Sequence, residues 1–271
     1  MPKIADVDYE NIDNIRGYMG FSTGVEVQLL SDDLLTGFRR CCYILEQFPH
    51  INYLVIHMPF NMVNLCYIHS NRNAEDKFIE LIVECVKYSL KTGVKIDILA
   101  HVAMRLYEFL GIHGIMFLNH LVKLVDGTNV GFLLENSIIN LNMDDDEDDI
   151  LTGIFRMYNS DKINFCLDLC HFQSSEFVMK KHFEINDVLL KKLQNVHFSM
   201  TRDNEGYKNK EFTHGRVHTS LLACEQDLQY LKSKGIDLNS VNLVTEINEL
   251  EYTSRPDMNK ELEYLRTIKL R

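Results

Sequence analysis

Six short apolar segments of this chain each end in a carboxylate, an imidazole or both, and this recurrence constrains the fold more than any other feature. Short hydrophobic runs of this kind are typical of buried β-strands, and the polar residue stands at the carboxyl end of each. In chain order the segments are Val55–His57, Ile98–His101, Leu133–Asn136, Cys166–His171, Asn195–His197 and Leu243–Glu246. Helix-like sequence separates them, which is typical of a parallel β/α barrel whose loops converge on one site.

The rest of the chain also alternates between apolar runs and amphipathic stretches, which predicts an α/β fold with a parallel sheet. With 271 residues and no internal repeat or linker, the chain is predicted to form a single TIM (β/α)8 barrel domain over residues 1–271. The predicted strands are Lys3–Asp6, Gly24–Leu30, Tyr53–His57, Lys95–His101, Val130–Glu135, Ile163–Asp168, Asn195–Phe198 and Ser240–Glu246. The predicted helices are Tyr9–Met19, Asp33–Gln47, Ala74–Lys91, Tyr107–Val125, Asp148–Tyr158, Ile185–Lys192, Leu221–Lys234 and Asn259–Lys269.

Charge and composition narrow the class of protein. The net charge of −11 argues against a protein that grips nucleic acid by bulk electrostatics alone, although bound divalent metals would create a local positive surface. No apolar run approaches the length of a membrane span, and the N-terminus lacks the core of a signal peptide. We therefore expect an intracellular protein with no membrane partner, whose seven cysteines are reduced thiols.

Three of the strand ends carry carboxylates that would be costly to bury alone. Glu135, Asp168 and Glu246 each follow an almost wholly apolar run, and a buried carboxylate needs a charged partner or a metal ion. A single strand-end histidine such as His57 or His101 is more often structural than a ligand. Several histidines and carboxylates converging at one barrel mouth are a different case, because cations relieve the repulsion between the carboxylates. The set therefore predicts a multinuclear metal site.

Two further pairs of residues have a spacing that suits metal binding. Asp168 and His171 are three residues apart where a strand ends, so both side chains can face the barrel mouth while serving different metals. His214 and His218 would lie one helical turn apart if their segment were helical.

Several of these segments resemble the motifs of the endonuclease IV family of apurinic/apyrimidinic endonucleases, which belongs to the xylose-isomerase-like barrel superfamily. The most specific is Cys166-Leu-Asp-Leu-Cys-His171, which is similar to the family's Cys-Ile/Leu-Asp-Thr-Cys-His. The other matching segments, in the family's order, are His57-Met-Pro-Phe-Asn61 with Asn64-Leu65, Leu134-Glu-Asn-Ser137, Val196-His-Phe198, Arg216-Val-His-Thr-Ser-Leu221 and Leu243-Val-Thr-Glu246.

The resemblance implies a zinc-dependent enzyme of DNA base excision repair. Such an enzyme acts as a monomer on double-stranded DNA, hydrolyses the phosphodiester 5′ to an abasic site and leaves a 3′-hydroxyl. It also implies three zinc ions. Their ligands would be His57, His101 and Glu135 for the first, Glu135, Asp168, His197 and Glu246 for the second, and His171 and His218 for the third. Glu135 is the implied catalytic residue, which bridges two zinc ions and orients the attacking water.

The sequence departs from the family pattern at the third zinc ion. Arg216 occupies the position of an expected Asp, so His214 or Asp203 would have to replace that ligand. Phe60 stands at the position of the family's intercalating Tyr, and Asn61 follows it. Both are predicted to contact DNA, because an aromatic wedge can hold a duplex open where a base is missing. The alternative for Phe60 is a place in the hydrophobic core.

Two other functions fit part of the same pattern. A sugar isomerase or epimerase of the superfamily uses a single metal held by a Glu, Asp, His and Glu set, which Glu135, Asp168, His197 and Glu246 would satisfy. A barrel that binds DNA with reduced catalysis would follow from loss of the third metal. The further histidines favour the nuclease, since an isomerase does not need them as ligands. Zinc content separates the three: two to three ions per chain for the nuclease, one for the isomerase and none for the binding protein.

Overall fold

Eight parallel strands form one sheet in which each strand pairs with the next in the chain. The computed structural model describes residues 1–20, 22–102, 106–136, 150–169, 171, 185–198, 229 and 231–245. The strands are β1 Lys3–Ala5, β2 Gly24–Gln28, β3 Tyr53–His57, β4 Lys95–His101, β5 Val130–Glu135, β6 Ile163–Asp168, β7 Leu193–Phe198 and β8 Asn242–Thr245. Pro2 bridges to Thr245, whose backbone N–H donates to the Met1 carbonyl at 2.9 Å, so the last strand returns to the first. The predicted (β/α)8 barrel is confirmed.

The strand predictions hold best in the middle of the barrel. The four strands β3, β4, β5 and β6 begin and end where the sequence places them. Their apolar runs are buried on both faces, so the hydrophobic pattern marks both ends clearly. The outer predictions are less accurate: β7 begins two residues earlier, at Leu193, and β2 ends two residues earlier, at Gln28. β8 is described as far as Thr245, and Glu246 lies outside the described residues.

Eight helices are described on the outside of the barrel. They are α1 Ile12–Met19, α2 Leu34–Gln47, α3 Leu65–Ser70, α4 Arg72–Thr92, α5 Leu106–Gly111, α6 Gly114–Val125, α7 Ile150–Met157 and α8 Asp187–Lys192, with short 3-10 helices at Asp6–Asn11 and Phe60–Met62. The predicted helix Asn259–Lys269 and most of Leu221–Lys234 lie outside the described residues. Within the described residues, no helix is both long and apolar enough to cross a bilayer, and the five described cysteines are free thiols.

One helix prediction is wrong and one helix was not predicted, each for a local reason. The single helix predicted over Tyr107–Val125 is broken into α5 and α6, because His113 adopts a left-handed backbone conformation with φ of 60°. The helix α3 is absent from the prediction because it has only six residues. It is held by caps at both ends: the Asn64 side chain accepts from the Cys66 N–H at 3.0 Å, and Asn71 ends α3 and caps α4.

The side chains at the strand ends point into the barrel, as do the interior residues two positions earlier on the same strands. Alternate residues of a strand face opposite sides of the sheet. An apolar cluster inside the barrel contains Val55, Leu99, Leu133 and Cys166. Two residues further along the same strands stand, in the same order, His57, His101, Glu135 and Asp168. These four polar side chains therefore face inward at the carboxyl end of the barrel.

A second buried polar group lies at the opposite end of the barrel. Asp97 accepts hydrogen bonds from the Tyr53 hydroxyl at 2.8 Å and from Gln194 Nε2 at 2.5 Å. Its Oδ2 is also 3.2 Å from Lys95 Nζ. Gly131 on the neighbouring strand makes room for this carboxylate, since a Cβ there would lie 2.6 Å from Asp97 Oδ1. The network ties together the amino-terminal ends of β3, β4 and β7.

Candidate metal centre

The candidate site lies at the carboxyl end of the barrel, where five consecutive strands each contribute one side chain. These are His57 of β3, His101 of β4, Glu135 of β5, Asp168 of β6 and His197 of β7, and His171 follows β6. His101 is partly exposed, and the other five residues are buried. Six of the eight predicted metal ligands are therefore brought together. The other two, Glu246 and His218, and the predicted substitute His214 lie outside the described residues.

Glu135 is at the centre of the group, and its two carboxylate oxygens face different histidines. Oε2 is 3.1 Å from His101 Nε2 and 3.6 Å from His57 Nε2. Oε1 is 3.4 Å from His197 Nδ1 and 3.5 Å from His171 Nδ1. The carboxylate thus divides four imidazoles into two pairs, one on each oxygen.

Asp168 is placed by an amide clamp between the ends of β5 and β6. The Asn136 side chain donates from Nδ2 to the Asp168 carbonyl at 3.0 Å, and its Oδ1 accepts from the Asp168 N–H at 2.7 Å. Asp168 Oδ1 in turn accepts from the backbone N–H of His171 at 2.8 Å, which fixes the turn after β6. Asn136 therefore holds the end of β6 in place beside Glu135.

Three of the histidines are oriented by a fixed partner on one ring nitrogen. His57 Nδ1 donates to the Met58 carbonyl at 2.9 Å, and His171 Nδ1 donates to the Asn136 carbonyl at 2.8 Å. A proton held at Nδ1 leaves the lone pair of a neutral ring at Nε2. His197 differs, because its Nε2 lies 2.9 Å from the Glu26 carboxylate and its Nδ1 faces the centre. Such partners fix which nitrogen can bind a metal.

Glu26 is a site residue that the sequence analysis missed. It lies in the middle of β2, and both it and His197 are fully buried. Its Oε1 is 3.4 Å from Lys3 Nζ, so the carboxylate has a cation on one side and an imidazole on the other. A signal was present in the sequence: Glu26 stands between two valines of an apolar strand, at an inward position by the alternation rule.

Burial and neighbouring charges act in opposite directions on the titration of the site. Burial lowers the pKa of His57 to about 3, which keeps that ring neutral and able to bind a metal. Burial alone would raise the pKa of Glu135, but His101 and His197 outweigh it and hold that pKa well below its usual value. For His197 burial would lower the pKa, yet the Cys166 thiol and the surrounding carboxylates hold it well above its usual value. Glu135 is therefore ionised at neutral pH.

The donor atoms fit a zinc site. Three groups of side chains have ligand atoms within 4.8 Å of one another. They are His57 with His101 and Glu135, Glu135 with Cys166 and His197, and Glu135 with Asp168 and His171. Zn²⁺ accepts such mixed nitrogen, oxygen and sulfur ligands. Glu135 belongs to all three groups, as expected of a carboxylate shared between neighbouring cations.

Phe60 and Asn61 stand on the loop that follows His57. Phe60 is 94% exposed, and Asn61 beside it is also exposed. The alternative that Phe60 packs in the core is therefore wrong. The loop is anchored to β4 further on, where the His101 N–H donates to the Val63 carbonyl at 2.8 Å. The loop between β3 and β4 therefore holds a solvent-exposed aromatic ring next to the site.

Comparisons with known proteins relate the chain to others by structure alone. No protein-family model matches it, and no curated protein matches it in sequence. D-psicose 3-epimerase from Clostridium cellulolyticum, in crystals with D-tagatose, has a TM-score of 0.58 at 10% identity over 99% of this chain and 98% of that one. Endonuclease IV from Thermus thermophilus has a TM-score of 0.53 at 12% identity over 98% and 97%. A second Thermus thermophilus protein, soaked with ZnCl2, has a TM-score of 0.55 at 14% identity over 98% and 97%.

The fold is a TIM (β/α)8 barrel that these solved structures share over nearly their whole length. The sequence identities are only 10 to 14%, so these similarities establish the fold alone. The activity has to be inferred from the chemistry of the site. The structural neighbours include both sugar epimerases and an endonuclease.

Proposed function

We propose that this protein is a zinc-dependent apurinic/apyrimidinic endonuclease of DNA base excision repair. It would hydrolyse the phosphodiester 5′ to an abasic site in double-stranded DNA and leave a 3′-hydroxyl. One observation carries the proposal: the two oxygens of Glu135 each face a separate pair of histidines. A site built for one cation needs no such division. A carboxylate with His57 and His101 on one oxygen and His197 on the other suits a bridging ligand, and paired cations are a common device for phosphodiester hydrolysis.

In this proposal the strand-end side chains hold the zinc ions. His57 and His101 would bind one zinc with Glu135, and Asp168, His197 and Glu246 would bind a second with the same glutamate. When bound, paired zinc ions supply Lewis acidity that stabilises the attacking and leaving oxygens of an in-line displacement. Glu135 is the proposed catalytic residue, because its ionised carboxylate lies at the centre, where it can also accept a hydrogen bond from the attacking water.

A third zinc ion is proposed at His171 and His218, with His214 as the substitute for the missing carboxylate. His171 supports this through its hydrogen bond to the Asn136 carbonyl, which retains the proton on Nδ1 and leaves Nε2 as the binding nitrogen. The single domain over residues 1–271, the monomeric state and the intracellular location stay predictions.

The proposal is tested by metal content and incision measured together. We expect the purified protein to contain two to three zinc ions per chain. We also expect it to cut a duplex with one tetrahydrofuran abasic analogue on the 5′ side of the lesion, and to lose this activity after dialysis against a chelator. One zinc ion per chain and turnover of ketose sugars would instead support the epimerase alternative. Sugar epimerases are among the solved structures that share this fold. Absence of zinc together with retained DNA binding would support a non-catalytic barrel.

Phe60 is proposed to insert into the duplex at the abasic position, with Asn61 contacting the same strand region. In Phe60→Ala we expect affinity for the abasic duplex to fall about 10- to 100-fold, because stacking of an aromatic ring on a base contributes about 1–3 kcal/mol. The zinc content should not change, since Phe60 belongs to none of the three groups of donor side chains found among the described residues. Fluorescence anisotropy with the tetrahydrofuran duplex measures the affinity.

Leu90→Ala is the matched control for Phe60→Ala. Leu90 is also a large exposed apolar residue, 67% exposed, but it lies near the carboxyl end of α4, which leads away from the barrel mouth. Equal losses of affinity in the two variants, or no loss in Phe60→Ala, would contradict a wedge at Phe60.

A further inference from the structure

We infer that Glu26 is a positioning residue for His197, holding the imidazole so that Nδ1 rather than Nε2 binds the metal. This inference rests on the proposed zinc site and deepens it. Glu26 Oε2 lies 2.9 Å from His197 Nε2, and both side chains are fully buried. A hydrogen bond of this length to a carboxylate is charge-assisted and strong when it is shielded from water.

The partner of His197 differs in kind from the partners of His57 and His171. His57 and His171 are oriented by backbone carbonyls, which belong to the same or a neighbouring strand end. His197 on β7 is oriented by a side chain from β2, 171 residues away in the chain. The contact therefore crosses the inside of the barrel, and it exists only when the barrel has closed.

The hydrogen bond decides which nitrogen of His197 is available. With the proton held at Nε2 by Glu26, Nδ1 faces Glu135 Oε1 at 3.4 Å and Asp168 Oδ2 at 3.9 Å. A ring rotated by half a turn would lose the Glu26 contact. A carboxylate on the far nitrogen also makes the near nitrogen a better donor to a metal, as in other carboxylate–histidine–zinc arrangements.

Lys3 explains why Glu26 supports the site instead of binding the metal itself. Its ammonium lies 3.4 Å from Glu26 Oε1, and Lys3 is only 8% exposed. The carboxylate therefore has a fixed cation on one oxygen and His197 on the other. Consistent with this, none of the three close donor groups among the described residues includes Glu26.

The test compares three variants of the full chain. Glu26→Leu removes the acceptor, Glu26→Gln keeps an acceptor oxygen but loses the charge, and Lys3→Met removes the cation while leaving the Glu26–His197 bond. We expect Glu26→Leu to bind one of its zinc ions about 10- to 100-fold more weakly, the usual effect of losing an outer partner of a ligating histidine. Glu26→Gln should lose less, and Lys3→Met should stay within a few-fold of the natural protein. Competition with a chromophoric chelator at fixed pH measures these affinities.

A second readout does not depend on zinc. In protein labelled with ¹⁵N-histidine, the His197 Nε2–H proton should give a resonance protected from solvent exchange, assigned by its absence from His197→Gln. We expect the resonance to persist in Lys3→Met and to disappear in Glu26→Leu. Circular dichroism confirms that each variant is folded before it is compared.

The outcomes separate this inference from the proposed function. If the natural protein binds zinc and folded Glu26→Leu binds it equally well, the role of Glu26 is wrong and the proposed function stands. If the natural protein binds no zinc, the proposed function fails, and the Nε2–H resonance alone decides whether Glu26 positions His197. A resonance unchanged in folded Glu26→Leu would overturn the inference in either case.

Discussion

Incision of an abasic duplex is expected to fall by about three orders of magnitude in Glu135→Gln, the size seen when a group that stabilises transition-state charge is removed. The substitution keeps the shape of the side chain but replaces one oxygen with an amide nitrogen, which has no lone pair for a cation. Since each oxygen of Glu135 faces its own histidine pair, one half of the proposed bridge must be lost. Zinc content should fall with activity. Single-turnover incision of the tetrahydrofuran duplex and metal analysis measure the two effects.

Glu80→Gln is the matched control, because Glu80 is an exposed glutamate in α4 with no part in the site. It should retain full activity and zinc content. Undiminished incision in folded Glu135→Gln would show that Glu135 is not the catalytic residue. It would also contradict the bridging role on which the proposed function depends.

The free energy of unfolding is expected to fall by about 1–3 kcal/mol in Asp97→Ala, the usual cost of removing one partner from a buried hydrogen-bonded group. The carboxylate is 1% exposed. Its loss removes one acceptor from the Tyr53 hydroxyl and one from the Gln194 amide inside the barrel. Urea denaturation followed by circular dichroism measures the change. The zinc content of the folded protein should stay the same, because Asp97 lies at the end of the barrel opposite the site.

Asp76→Ala controls for the loss of an aspartate as such, since Asp76 is exposed on α4. It should change the free energy of unfolding by less than about 0.5 kcal/mol. A loss in Asp97→Ala no larger than this would show that the polar network at the amino-terminal end contributes little to the stability of the barrel.

The buried polar residues at the carboxyl end of the barrel could be predicted from the sequence, and those at the amino-terminal end could not. The strand ends with His57, His101, Glu135, Asp168 and His197 were predictable, because each polar residue ends a short apolar run of the kind that marks a buried strand. The polar network around Asp97 was not predicted. Its members Tyr53, Asp97 and Gln194 lie on three different strands, so no short motif contains two of these three.

The limits on helix prediction have a similar cause. The long helix α4 was placed within two residues at its start and one at its end, because its apolar face repeats over five turns and Gly93 ends it in a left-handed conformation. The six-residue α3 is too short for a period to be recognised. The break at His113 depends on a left-handed residue that is not a glycine, which no periodicity reveals.

The sequence by itself determined the barrel, the order of its strands and the inward direction of six candidate ligands, because hydrophobic periodicity and strand polarity are local properties. Only the tertiary structure decided how those ligands are divided and oriented. The pairing of four histidines on the two oxygens of Glu135, and the contact of Glu26 with His197 across 171 residues, arise from strands that are distant in sequence. They follow from closure of the sheet, which brings β2 and β7 to face each other around a common interior.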